Sequence, residues 1–217
     1  MAEEARKLGF TWQNYQSWND DERWELIDGE PYAMTPAPMP RHQRVLARLG
    51  QAFERFFDGR LCVPFPAPID VHLSDLDVVQ PDISVVCNKD QIRRTHIEGA
   101  PALIVEVLSP STEAYDRVRK MKLYAEKGVR EVWLVTPYPW LVEVYVLAGG
   151  KYVLESAYEK HDTLVSPTFP ELRIELEKVF DFPIPPEEQI EMVHEGVPPY
   201  PPQSTQEKNG ESATTHS

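Results

Sequence analysis

The stretch Pro101-Ala-Leu-Ile-Val-Glu-Val-Leu-Ser109 decides how this chain folds. It is apolar at odd and even positions alike, the pattern of a central strand covered on both faces. Glu106 interrupts the run. An ionised carboxylate there costs on the order of several kcal/mol unless a cation or a set of donors compensates it. Upstream, Gln80-Pro-Asp-Ile-Ser-Val-Val-Cys87 reads as another apolar strand, opened by Asp82. Side chains at i and i+2 share a strand face, so if the two strands are neighbours both carboxylates address one spot. Two unpaired anions about 4 Å apart repel by about 4 kcal/mol at an effective dielectric of about 20. A Mg²⁺ ion, or Mn²⁺ in its place, reverses that sign, using one or two carboxylates and keeping several waters for a phosphate substrate. The alternative is that Asp82 caps a turn after Pro81 and Glu106 pairs with a lysine or arginine.

Working outward, Ser109-Pro-Ser-Thr112 is a break rich in capping oxygens, Glu113 to Lys127 reads as a helix closed by Gly128, and Glu131 to Thr136 as a strand. Strand, helix and strand of this length form a crossover between two parallel strands. Toward the N-terminus, Thr11 to Trp18 reads as a short helix capped by Thr11. Trp24 to Met34 reads as a β-hairpin turning at Asp28-Gly29. After the prolines at 36, 38 and 40, Arg41 to Asp58 is an amphipathic helix. Val45, Leu49, Ala52, Phe53 and Phe56 form its apolar face, with His42 at the N-terminal end of that face and Gly59 as the stop. Arg41, Arg44, Arg48 and Arg55 form the other face, either a contact for a nucleic-acid backbone or a solvated helix surface. Strands are expected at 61–65, 69–73 and 83–86, a hairpin around Gly149-Gly150, and a short strand and helical turn between 163 and 182. The fold class is α/β: a mixed sheet flanked by helices, with an N-terminal β-hairpin.

The length suits one domain, 1–182, with a tail at 183–217. That tail holds three Pro-Pro pairs, and from Asp181 to the end seven acids stand against Lys208; it reads as disordered. The whole chain has a formal charge of -13, which disfavours broad attachment to nucleic acid or anionic membranes. Cys62 and Cys87 lie in apolar runs without metal-ligand spacing and read as buried, reduced thiols. No signal core precedes the body and no run approaches the about 18 apolar residues of a spanning helix, so a soluble cytoplasmic protein, with no membrane partner, is expected.

Behind the central strand, Arg117, Arg119, Lys120 and Lys122 crowd one helix. Asp116, Lys120 and Tyr124 are one turn apart and share a flank. A lysine there either faces the acids, where it would orient a water or neutralise a transferring phosphate, or belongs to a solvated basic face.

Together these residues resemble a known pattern. Pro81-Asp82, then Glu106-Val-Leu108 with a basic helix behind, resembles the PD-(D/E)XK nuclease superfamily and, more closely, the Uma2 family of restriction endonucleases. The matching blocks are Glu25-Leu-Ile-Asp-Gly-Glu30, His42, Val79-Gln-Pro-Asp-Ile-Ser84, Val105-Glu-Val-Leu-Ser-Pro-Ser-Thr112, Tyr115 to Tyr124, Gly128-Val and Trp133-Leu-Val, spread over about residues 11 to 182. The resemblance implies a restriction-endonuclease-like fold, Mg²⁺ on Asp82 and Glu106, and a DNA substrate. It brings Glu25 in as an early acid completing the cluster, although on residues alone Glu25 is an ordinary exposed strand glutamate. It makes His42 a catalytic candidate beside a plain helix-start histidine. Leu108 stands where the superfamily has its lysine. The resemblance moves that role to Lys120 in the following helix, with Lys122 as fallback and Arg117 and Lys122 also set to meet nucleic acid. A homodimer is compatible with it. The rival is a catalytically inactive module of the same fold binding nucleic acid or a protein; a nuclease for RNA or branched structures would share the site.

Overall fold

The computed structural model describes residues 9–18, 22–34, 39–110 and 113–183. A single turn, α1 (Trp12–Tyr15), is capped by the Thr11 hydroxyl, which accepts from the Asn14 N–H at 3.4 Å. The hairpin β1 (Trp24–Ile27) and β2 (Glu30–Ala33) turns through Asp28 and Gly29, at φ 52° and 75°. Two successive positive φ values match the twist of the flanking strands, which is why Asp-Gly serves there. Next comes the long helix α2 (Pro40–Phe57). Six strands follow: β3 (Val63–Pro66), β4 (Asp70–Ser74), β5 (Asp77–Val79), β6 (Ile83–Val86), β7 (His96–Glu98) and β8 (Leu103–Val107).

The helix expected over 113–127 has three parts: α3 (Glu113–Tyr115), a π-helical turn (Asp116–Lys120) and α4 (Met121–Lys127). Gly128 ends it at φ 83°, in the left-handed region where glycine carries no Cβ penalty. The chain closes with β9 (Glu131–Thr136), β10 (Leu141–Ala148), β11 (Lys151–Glu159), β12 (Thr163–Val165), β13 (Arg173–Glu175) and α5 (Leu176–Val179).

The fold class is the expected mixed α/β, but the strands divide between two main sheets. One runs β2-β1-β5-β4-β7, the other β11-β10-β9-β8-β6-β3, and β12 pairs with β13. The parallel pairing of β8 with β9 confirms the crossover. Strands β5 and β7 were not expected from the sequence. At three residues each they are too short to show a period.

The central strand is buried on both faces, as its composition requires. Leu103, Val105 and Val107 pack with Val45, Leu49, Phe53 and Phe57, the i,i+4 stripe of α2. Ile104 and Leu108 point the other way, into a second core with Leu123 and Tyr124 of α4 and with Val71, Val79 and Ile97 of the first sheet. Between β5 and β6 the chain passes from one sheet to the other through Gln80-Pro81-Asp82. Asp82 therefore sits at the junction of both sheets.

The reading of Cys62 and Cys87 as reduced thiols is corrected. They form a disulfide with an S–S distance of 2.08 Å. The cause is register: Val63 pairs with Val86 across β3 and β6, so the two cysteines are the next residues along. Among the described residues no helix is long and apolar enough to cross a membrane. The tail expected to be disordered lies, apart from Pro183, outside the described residues.

Candidate active site: acids gathered around Lys120

Strands β6 and β8 are antiparallel neighbours, with Ile83 opposite Val105. The next pair in that register is Asp82 and Glu106. The two carboxylates that sequence spacing could only suggest as neighbours thus end up across from each other. The backbone N–H of Val107 donates to Asp82 Oδ2 at 2.7 Å, locking the aspartate to the end of β8.

Glu106 is 3 % exposed. Its Oε1 accepts from the Tyr124 hydroxyl at 2.5 Å and from Lys120 Nζ at 3.2 Å. The ammonium group also lies 2.9 Å from Glu25 Oε1 and 3.5 Å from Asp116 Oδ1. Glu25, in β1, is buried rather than exposed, and also accepts from the Gln80 N–H at 2.8 Å. Hence one lysine ties β1 of the first sheet, β8 of the second and its own helix together. Asp116 and Lys120 both lie in the π-helical turn and are buried, while Val118 between them is exposed. The solvated-face reading of Lys120 is therefore corrected. Lys122 lies outside the cluster, exposed and 3.7 Å from Glu126.

His42, at the first turn of α2, reaches Asp82: Nε2 lies 3.3 Å from Oδ2. Burial by itself lowers the imidazole pKa, but the hydrogen bond and charge of Asp82 outweigh it, and the net displacement is upward.

Electrostatics set the character of the site. Glu106 feels the charges of Glu25, Asp82 and Asp116, Lys120 faces Glu106, Glu25 and Asp116, and Asp82 has His42 beside it. Desolvation is the largest influence on Glu106. Lys120 opposes it and the other three acids reinforce it, so the Glu106 carboxyl is held well above the ordinary carboxylate range. Burial works against the charge on Lys120, yet the carboxylates win and its pKa is well above that of a free lysine. A cluster with this surplus of acid must keep a proton on Glu106 or take up a cation.

Of the two readings of Glu106, the structure shows the pairing with a lysine: Lys120 and Tyr124 both contact its carboxylate. Asp82 has His42 beside it, so the remaining acids, Glu25 and Asp116, share Lys120 with Glu106. Tyr124 and Asp116 are members that sequence reasoning left out of the site, although their spacing of four from Lys120 placed them on its flank. Among the remaining cations named from sequence, Arg44 is exposed and Arg41 and Arg48 are half-buried along α2. Arg117 is committed elsewhere, donating to Glu113 at 2.8 Å and lying 2.6 Å from Glu143. Leu108, in the position of the superfamily lysine, is core.

Fold and site together define a restriction-endonuclease-like α/β protein. A family model, Uma2, described as "Putative restriction endonuclease", matches residues 12–177, and the chain belongs to that family. A protein of Synechocystis sp., "Uncharacterized protein slr1290", is 33 % identical over 153 residues, covering 69 % of this chain and 74 % of that one. A solved structure from Anabaena variabilis, described as "a putative nuclease belonging to DUF820", superposes with a TM-score of 0.64 at 19 % identity. It covers 79 % of this chain and 97 % of its own, a likeness of fold.

Proposed function

We propose that this protein is a metal-dependent endonuclease that hydrolyses DNA phosphodiester bonds at the acid cluster. The observation that carries the reading is the position of Asp82 and Glu106, in facing register on adjacent strands, with the Lys120 ammonium 3.2 Å from Glu106. The donor set fits Mg²⁺ or Mn²⁺: hard carboxylate oxygens in excess of their cations, where such an ion needs only one or two of them and fills the rest of its shell with water. Asp82 and Glu106 would hold the ion. When bound, it lowers the pKa of a coordinated water and offsets charge on the phosphate.

The rest of the chemistry falls to the chain's own side chains. Lys120, kept charged by its carboxylates, orients the attacking water or neutralises the phosphate. Glu25, Asp116 and Tyr124 act as positioning residues, fixing the ammonium and the Glu106 carboxyl. His42 donates to Asp82 through Nε2 and sets its orientation. Arg41, Arg44 and Arg48, on the helix that carries His42, supply contacts to the DNA backbone. Arg117, engaged by two glutamates, is not assigned such a contact.

One observation favours the rival, a non-catalytic module: Lys120 already neutralises Glu106. Incubating the purified protein with supercoiled plasmid and Mn²⁺ separates the two. Nicking that is lost in Glu106→Ala supports hydrolysis at this cluster. Absence of nicking, with DNA still retained, supports the module.

A further inference from the structure

We propose that His72, His96 and Glu98 form a second metal site, for a divalent transition-metal ion of the zinc class, separate from the acid cluster. The site is created by strand register. In the parallel pair β4 and β7, Asp70 stands opposite His96 and His72 opposite Glu98. His96 and Glu98 are two residues apart and share a face of β7, so the pairing brings all three side chains to one side of the sheet. Their ligand atoms lie within 4.8 Å of one another, the one group of three such residues among those described.

The distances suit a small ion. His72 Nδ1 is 3.0 Å from Glu98 Oε1, and His96 Nε2 is 3.2 Å from Glu98 Oε2. Ligands about 2.0–2.1 Å from a tetrahedral ion stand about 3.3 Å apart. Those two separations are already close to that edge and all three ligand atoms lie within 4.8 Å, so an ion would replace two hydrogen bonds with side-chain adjustment alone. Two imidazoles and a carboxylate select zinc-like ions, whereas Mg²⁺ prefers oxygen alone.

The surroundings also match a metal site. The Thr95 hydroxyl lies 3.1 Å from the outer ring nitrogen of His96, in position to fix the tautomer that leaves Nε2 for the metal. Trp12 stacks on His72 at 4.7 Å between ring centroids and meets His96 edge-on at 5.0 Å, walling one side. Glu98, its side chain 42 % exposed, leaves a path for entry. Three protein ligands leave a position for water. Bound metal would pin β7, an edge strand of three residues, to β4 beneath α1.

The test uses full-length, tag-free protein stripped with a chelator. Co²⁺ should produce the visible absorption of a low-symmetry, four- or five-coordinate ion at one equivalent, and Zn²⁺ should displace it in competition with a chromophoric chelator. His72→Ala and His96→Gln should each weaken Zn²⁺ binding by roughly 10- to 100-fold, while Asp82→Ala leaves it unchanged. In the wild-type protein Zn²⁺ should shift the ring resonances of His72 and His96 but not those of His161, a readout that needs no variant to fold. Zn²⁺ binding that survives both histidine substitutions, or that leaves those rings unmoved, overturns the proposal. So does loss in Asp82→Ala alone, which would place the ion in the acid cluster.

Discussion

Glu25 and Glu106, on strands of different sheets, share one ammonium group: Lys120 Nζ is 2.9 Å from the first and 3.2 Å from the second. All three side chains are almost wholly buried. The site is therefore also a structural joint, and each substitution in it is expected to change stability as well as the proposed cleavage.

Lys120→Met is the most informative change. It strands buried carboxylates, and breaking such a pair costs about 3–5 kcal/mol. We expect urea unfolding at pH 7 to show a loss of about 3 kcal/mol, shrinking as the pH is lowered toward 5. The sign follows from Glu106: Lys120 lowers a folded-state pKa that is raised overall, so removing the lysine raises it further in the variant. The folded protein takes up that proton first, so stability is highest below the ordinary carboxylate pKa and falls as pH rises through the raised value. Cleavage should be abolished while Mg²⁺ affinity changes only a few-fold. Full activity in the variant would remove Lys120 from the mechanism.

Tyr124→Phe deletes the hydroxyl that donates to Glu106 at 2.5 Å. Losing one donor to a buried acceptor costs about 1–3 kcal/mol. That donor also favours the ionised carboxylate, so its removal raises the Glu106 pKa further. We expect a lower melting temperature and an acid limb of the cleavage profile moved to higher pH. If the limb stays where it is, ionisation of Glu106 does not govern the rate.

His42 should impose its own pH dependence. Its pKa is raised by Asp82 despite burial. A group raised on folding contributes stability fully below its unfolded pKa, about 6.5, and loses it as pH rises through the folded value. The difference in stability between wild type and His42→Asn should thus be greatest near pH 5.5 and decline toward pH 8.5 in thermal melts. A difference that grows with pH would contradict the Asp82 pairing.

The disulfide closes a segment between residues 25 apart in sequence. Constraining a loop of that size contributes about 3 kcal/mol in the chain-entropy account. Cys62→Ser should unfold at lower urea concentration by a corresponding amount, and alkylation of denatured wild type should label both cysteines only after reduction. Labelling without reductant would restore the free-thiol reading.

Much of this architecture is legible in the chain because local and long-range signals agree. The i,i+4 stripe of α2, the Asp28-Gly29 turn and the doubly apolar run at 103–107 each specify an element without help from elsewhere. The acid pair is legible for the same reason, Glu106 being out of place inside an apolar strand and Asp82 standing at the opening of another. What stayed hidden depends on register between distant segments. Glu25 looks like a surface residue until β1 is laid beside β5, and the His72–His96–Glu98 trio requires β7, which is too short to announce itself. Burial alone does not mark function either. Glu131 is as buried as Glu106, yet its carboxylate accepts from Trp133 Nε1, from the Ser166 hydroxyl and from the Thr168 N–H. Those neutral donors satisfy it, and it reads as a structural brace.

The central claim is that the surplus of carboxylates around Lys120 is completed by a divalent ion. Calorimetric titration with Mg²⁺ addresses it directly, since magnesium is poorly suited to the imidazole trio. We predict a single binding event in the wild-type protein that disappears in Asp82→Ala and persists in Lys120→Met. No heat at millimolar Mg²⁺, or heat undiminished in Asp82→Ala, would contradict the account.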